Sequence, residues 1–188
     1  MNEHLDQQLC ATYPEIFQDR HASMDRTAMC WGFACGDGWY ALIDGLCAYL
    51  MGPVKQARDD VRHAELALQF PEKQTKWSRS FYTPEKLAEY RAKLTELEAH
   101  IPIAVQVKEK FGTLRFYVDH CTDEQSAVIH FAELLSARMC EVCGATQTAK
   151  TYREGWHRTL CDTCAEKDGR IVGRAEEMPT IILGDESE

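Results

Sequence analysis

Two Cys-x-x-Cys pairs, Cys140-Glu-Val-Cys143 and Cys161-Asp-Thr-Cys164, constrain this chain more than any other feature. They are separated by 17 residues, 144–160, the spacing of a four-thiolate zinc site. Each pair makes a knuckle that places two sulfurs on one side of a tight bend, and two facing knuckles complete a tetrahedron with Zn–S near ~2.3 Å. Gly144 follows the first knuckle, where the chain often needs a positive φ. Between the knuckles, Thr148 to Arg153 and Trp156 to Leu160 are expected as two short strands around Glu154-Gly155, which makes a zinc ribbon holding one zinc ion. An iron–sulfur cluster uses the same four thiolates and stays open as the alternative. Disulfides need an oxidising compartment, and the polar stretch Met1 to Gln8 does not read as a secretion signal. A redox pair of the thioredoxin type would not need its twin. A closed four-cysteine site leaves no position for water or substrate. It dictates how this part of the chain folds, not what the protein does.

Upstream, the patterning is helical and then alternating. Leu5, Leu9 and Tyr13 predict a short helix stopped near Pro14, followed by an extended segment over 13–20 that packs its aromatics on the body. After the irregular Cys30 to Trp39 stretch, Leu42, Ile43, Leu46, Tyr49 and Leu50 recur at helical spacing. Asp37 is the N-cap candidate of that helix, and Gly52-Pro53 is expected to end it. A second helix is expected over 53–70, with Val54, Ala57, Val61, Ala64 and Leu68 inward. Thr83-Pro84 opens a third by the cap-then-proline rule, with a Leu87, Tyr90, Leu94, Leu97 stripe. The period then becomes two. Ile103, Val105, Val107, Leu114, Phe116 and Val118 fall on one face of a hairpin turning at Gly112, and Gln106, Lys108, Arg115 and Tyr117 on the other. A fourth helix starts at Thr122 with Gln125 in the capping-box position. Val128, Phe131, Leu135 and Met139 are expected inward, and the helix runs straight into the first knuckle. The fold class is therefore α+β: about four helices packed on an antiparallel β-hairpin or small sheet, with a rigidly attached C-terminal four-cysteine zinc ribbon. The expected divisions are a main domain over 1–139, the ribbon over 140–168 and an acidic tail over 169–188.

Composition bears on partners. The chain has 188 residues and a formal net charge of −9. That charge opposes a role in coating duplex DNA, whose affinity comes from Lys and Arg neutralising phosphates. It fits a binder of basic protein surfaces and leaves room for a local basic patch. No apolar run approaches the ~20 residues of a membrane span, so no membrane partner is expected. A reducing cytoplasm is the expected location, with cysteines as metal ligands or buried thiols.

Three stretches together resemble small phage and prophage proteins. They are Trp31-Gly-Phe-Ala-Cys-Gly-Asp-Gly-Trp39, Val107-Lys-Glu-Lys-Phe-Gly-Thr-Leu-Arg-Phe-Tyr117 and the Cys140/Cys143, Cys161/Cys164 ribbon. With the Tyr13-Pro to Arg20 opening, the likeness covers most of the chain to about Cys164. The resemblance implies a phage accessory protein in a bacterial cytoplasm and carries over no catalytic residue.

Several constellations have both a functional and a structural reading. In the Cys35 to Trp39 stretch, two glycines would let a ligand approach the backbone, with Asp37 as a carboxylate and Trp31 and Trp39 as stacking surfaces. The structural reading makes Asp37 a helix cap and the tryptophans core residues. Lys108, Lys110 and Arg115, flanked by Tyr117, would grip phosphates while the tyrosine stacks a base. The structural reading is a solvated hairpin face, with Glu109 and Asp119 partly cancelling its charge. Asp59, Asp60 and His63 share a helical turn but have no further partner at a fixed spacing. Cys30 and Cys35, with His21 or Cys47, match no closed zinc template and read as buried thiols. The leading functional class is a protein that binds a host macromolecule, above all a host protein, to counter a defence system or redirect a host enzyme. A nucleic-acid or nucleotide binder using the hairpin and a small enzyme centred on Asp37 are the alternatives.

Overall fold

The structure is a computed structural model, and it describes residues 1–170. The expected tail over 169–188 therefore lies, from residue 171 on, outside the described residues. Six helices and two small antiparallel hairpins follow one another: α1 (Glu3–Thr12), α2 (Tyr40–Gln69), α3 (Lys76–Phe81), α4 (Pro84–Glu98), β1 (Ala104–Lys110), β2 (Thr113–Val118), α5 (Asp123–Ser136), β3 (Lys150–Tyr152), β4 (Arg158–Leu160) and α6 (Asp162–Lys167). The α+β class and the C-terminal ribbon hold. Among the described residues, no helix is long and apolar enough to cross a membrane.

The two helices expected on either side of Pro53 are one, α2, with the proline inside it. A mid-helix proline removes a backbone hydrogen bond and normally kinks or breaks the helix. Here Ile43, Leu46, Leu50, Met51, Val54 and Ala57 are all buried along one continuous stripe, while Pro53 itself is exposed. Packing of that stripe outweighs the local penalty. Helix α4 runs antiparallel along α2. Arg58 of α2 pairs with Glu98 near the end of α4, and Glu65 further along α2 pairs with Arg91. The half-buried α4 stripe includes Leu94 and Leu97, which pack on the core.

The β1–β2 hairpin pairs Val107 with Phe116, Lys108 with Arg115 and Lys110 with Thr113. Its two turn residues, Phe111 and Gly112, have φ of 56° and 79°. Positive φ at both positions is the type I′ turn, whose twist matches the flanking strands. Val107, Leu114 and Phe116 are buried, as the alternation predicts. The N-terminal half of β1 departs from it. The register slips between Ala104 and Gln106, so Ala104 is fully buried and Val105 only half-buried. A bulge inserts one residue into one strand and re-aims its neighbours, which a strict period of two cannot show.

Residues 13–20 form turns rather than an extended strand, but Tyr13, Ile16 and Phe17 do bury their side chains. Helix α5 has the expected capping box at Thr122 and Gln125 yet is rotated from the expected face. It buries Ile129, Ala132 and Ser136 and leaves Phe131 60% exposed, with Leu135 also exposed. The cause is the edge of β2. The Leu114 N–H donates to Ser136 Oγ at 2.8 Å and the Phe116 N–H to Glu133 Oε1 at 2.9 Å. Buried backbone donors require partners, and α5 supplies them by turning polar side chains toward the sheet.

Phe116 and Tyr117 are neighbours on opposite faces. Phe116→Ala is expected to cost about 3–5 kcal/mol in urea unfolding, and Tyr117→Ala no more than about 0.5 kcal/mol. Equal costs would show the register to be wrong.

Candidate metal centre and the surfaces around it

Among the described residues, Cys140, Cys143, Cys161 and Cys164 form the one group of three or more potential metal-binding side chains, and their four sulfurs lie within 4.8 Å of one another. The knuckle geometry explains why. Gly144, at φ 77°, lets the chain fold back so that its N–H donates to the Cys140 carbonyl at 2.8 Å. The second knuckle is closed by α6, whose Ala165 N–H donates to the Cys161 carbonyl at 2.8 Å. The Cys143 and Cys161 sulfurs stand 3.6 Å apart. That is far from a disulfide bond of ~2.05 Å and close to the edge of a tetrahedron built on ~2.3 Å metal–sulfur bonds. Burial raises the Cys140 thiol, but backbone N–H groups of Cys161, Cys143 and Val142 outweigh it and bring that thiol down to about 7. The Cys164 thiol goes the other way, pushed up to about 12 by burial and by the neighbouring Cys161, Cys143 and Cys140 thiols, so the case for a metal ligand set rests on the geometry of the four sulfurs. The four cysteines can hold a metal ion, and no water or substrate position is needed to complete the set.

The Cys35-Gly-Asp-Gly-Trp39 stretch turns out to be the seat of the first knuckle. The Gly38 N–H donates to the Glu141 carbonyl at 2.8 Å. A Cβ at position 38 would lie 2.2 Å from the Cys140 carbonyl oxygen and 2.5 Å from the Gly144 nitrogen, and one at 36 would lie 2.2 Å from the Glu141 carbonyl oxygen. The glycines thus admit the ribbon backbone rather than a ligand. Trp39 is fully buried, and its indole N–H donates to the Met139 carbonyl at 2.9 Å. It is a core residue at the joint and is not available as a surface anchor. Asp37 does not cap the helix through its side chain. Its carboxylate accepts from the Asn2 backbone N–H at 2.7 Å and the Asn2 side-chain amide at 2.8 Å. Those two bonds hold it below the usual carboxylate range.

Trp31 is 71% exposed. The cavity it lines is formed with Asp6, Cys10, Arg20 and Phe33, among others, and includes none of the hairpin residues.

The other predicted site residues do converge. Lys108, Lys110, Arg115 and Tyr117 share the outer face of β1–β2, with the Lys108 ammonium 5.6 Å from the centre of the Tyr117 ring. The acids expected to cancel this charge are both engaged in hydrogen bonds. Glu109 accepts from the Gly112 N–H at 2.6 Å and from the Trp156 indole N–H at 3.1 Å. Asp119 accepts from the Ile103 and His120 N–H groups.

Three residues at this surface are not among the binding candidates of the sequence: Phe111, Trp156 and His157, the last of which reads there only as a spare metal ligand beside Cys161. They line one cleft of about 440 Å³ with Lys108, Glu109, Lys110 and Gly155. Phe111 is 65% and Trp156 72% exposed. The signal was present, since an aromatic residue in the loop of a short hairpin, the two-residue turn of β1–β2 or the five residues 153–157 between β3 and β4, stands at a tip and not in a core. What the sequence could not show is that the two tips meet. The meeting is made by Thr159, fully buried, whose hydroxyl donates to the Gly112 carbonyl at 2.6 Å. His157 packs against Phe111, ring centres 5.9 Å apart.

The remaining candidates separate. Asp59 pairs with Arg62, and Asp60 accepts from Gln56. The Cys30 thiol donates to the Thr27 carbonyl, and burial pushes the Cys35 thiol up to about 12, so these behave as structural thiols. No family model matches the chain, and no curated protein or solved structure matches it significantly.

Gly38→Ala is expected to destabilise by about 1–3 kcal/mol, the usual cost of forcing atoms into a packed joint, and to weaken metal retention. Gly45→Ala, in α2 with nothing near its missing Cβ, is expected to stabilise by about 0.5–1 kcal/mol. Thermal unfolding with metal quantification reads both, and a harmless Gly38→Ala would show that the joint is not close-packed.

Proposed function

We propose that this chain is a phage-type accessory protein of the bacterial cytoplasm that acts by binding a host macromolecule, without chemistry of its own. One observation carries the reading. On a protein of net charge −9, the outer face of β1–β2 gathers Lys108, Lys110, Arg115 and Tyr117 with no acid among them. Such segregation gives a surface complementary to negative charge, and Tyr and Arg are residue types enriched at interface hot spots. An acidic face on a host protein is the first reading of the partner. Single-stranded nucleic acid is the second, favoured by the exposed rings of Phe111 and Trp156 beside those cations. The enzyme reading centred on Asp37 loses support, because Asn2 occupies that carboxylate and the flanking glycines are filled by the knuckle.

We propose further that the metal is zinc and that its role is structural. The closed four-thiolate set and the ribbon around it support this. Cys140, Cys143, Cys161 and Cys164 would hold the ion, and the ion would fix the position of the β3–β4 tip against Gly112.

Elemental analysis of freshly purified protein is expected to find one zinc per chain. Iron with visible absorbance, or no metal, would contradict the assignment. For the binding surface, Arg115→Glu combined with Tyr117→Ala is expected to abolish capture of the partner that the wild-type protein retains from bacterial lysate. The thermal midpoint should stay within about 4 °C. Unchanged capture would move the binding surface elsewhere.

A further inference from the structure

We infer that the cleft between the two hairpin tips is a base-stacking site for single-stranded nucleic acid, continued by a phosphate track along the outer face of β1–β2. The inference rests on the reading of that face as the binding surface, and it chooses between the partner classes.

The cleft has two walls from different parts of the chain. Lys108, Glu109, Lys110 and Phe111 come from the main hairpin, and Gly155, Trp156 and His157 from the ribbon. Its rings are held and yet largely exposed. Phe111 is fixed by the type I′ turn and rests on His157. Trp156 is fixed by its indole N–H, which donates to Glu109. With that polar edge already used, what Trp156 offers a ligand is its π face, and 72% of the residue is exposed. A planar base fits such a surface, because stacking on aromatic side chains tolerates any base. A protein partner would more commonly use a tryptophan through both its ring and its free N–H.

The cations are arranged as a row. Lys110 and Lys108 follow one another on the same strand face, about 7 Å apart by strand geometry, and Arg115 stands directly across from Lys108. The Lys110 ammonium lies over the Phe111 ring, 5.4 Å from its centre, so a base stacking there would displace it from the ring toward the base's own phosphate. Tyr117 supplies one more exposed ring further along the face. Rings interleaved with cations along one open track match a single strand, whose bases are free to leave the stack. A duplex keeps its bases paired and could use only the cations. Glu109 keeps its negative charge at the cleft, but the Gly112 and Trp156 N–H groups hold it on the turn and tryptophan side, off the strand face that carries Lys108, Lys110 and Arg115.

Fluorescence anisotropy with the zinc-loaded full chain tests this. The probe is a fluorescein-labelled oligothymidylate about a dozen nucleotides long, alone, annealed to its complement, or challenged with an oligoglutamate peptide of equal charge. The single strand is expected to bind, with log affinity falling against log salt at a slope near about −2 for three phosphate contacts. Phe111→Ala and Trp156→Ala should each weaken binding roughly tenfold, with zinc content unchanged as the check on folding. Lys108→Glu with Lys110→Glu should flatten the salt slope. Trp77→Ala, exposed on α3, should change nothing. Absence of binding at low salt would overturn the inference. So would binding that survives loss of both rings, which is charge adsorption only, and so would equal competition by oligoglutamate, which would make the face a receptor for acidic polypeptide. If nuclease-treated lysate still yields a protein that the Arg115→Glu, Tyr117→Ala variant loses, the binding function stands while this inference falls.

Discussion

The joint between Gly38 and the first cysteine knuckle is the contact that ties the ribbon, and with it the cleft at the hairpin tips, to the main body. There the backbones of residues 36–38 and 140–144 touch with no space for a side chain between them. The Gly38 N–H donates to the Glu141 carbonyl, and one residue later Trp39 enters the core with its indole bound to the Met139 carbonyl. A metal held by the knuckle is therefore coupled to the packing of the main body. A second joint, from Thr159 to the Gly112 carbonyl, fixes the ribbon against the turn of β1–β2. Because folding of a small metal module is coupled to metal binding, both joints inherit that dependence. The cleft at the hairpin tips does too, since half of it belongs to the ribbon.

Much of this was legible where local rules and the tertiary structure agree. The cysteine spacing places the metal centre, the alternation from Val107 to Phe116 sets the core face of the hairpin, and Thr122 with Gln125 marks the start of α5. The misses have physical causes. Pro53 signals a helix end, but the buried stripe from Ile43 to Ala57 continues through it. Val105 looks inward by period, but a bulge hands its place to Ala104. Phe131 and Leu135 look like core residues, but the unpaired N–H groups of β2 need Ser136 and Glu133 instead. Asp37 reads as the cap of α2, but the distant Asn2 takes its carboxylate instead. In each case a partner far along the chain overrules the local signal.

The proposed binding surface follows from the same principle applied to charge. Sequence order mixes Lys108, Glu109 and Lys110, which suggests cancellation. The strand separates them onto opposite faces, and the turn amide and Trp156 then engage Glu109. The result is a strand face whose charged side chains, Lys108, Lys110 and Arg115, are all cations on a protein of net charge −9. That arrangement suits selectivity, because long-range repulsion discourages indiscriminate binding to polyanions while close contact rewards a partner that also offers rings or edges to Phe111 and Trp156.

Amide hydrogen exchange before and after metal chelation tests most directly whether the metal holds the main body through the Gly38 joint. Removing the metal is expected to abolish protection at Gly38, Glu141 and Trp39 together with the ribbon, while amides in the middle of α2 keep theirs. Loss confined to the ribbon, with Gly38 and Trp39 as protected as before, would contradict that coupling.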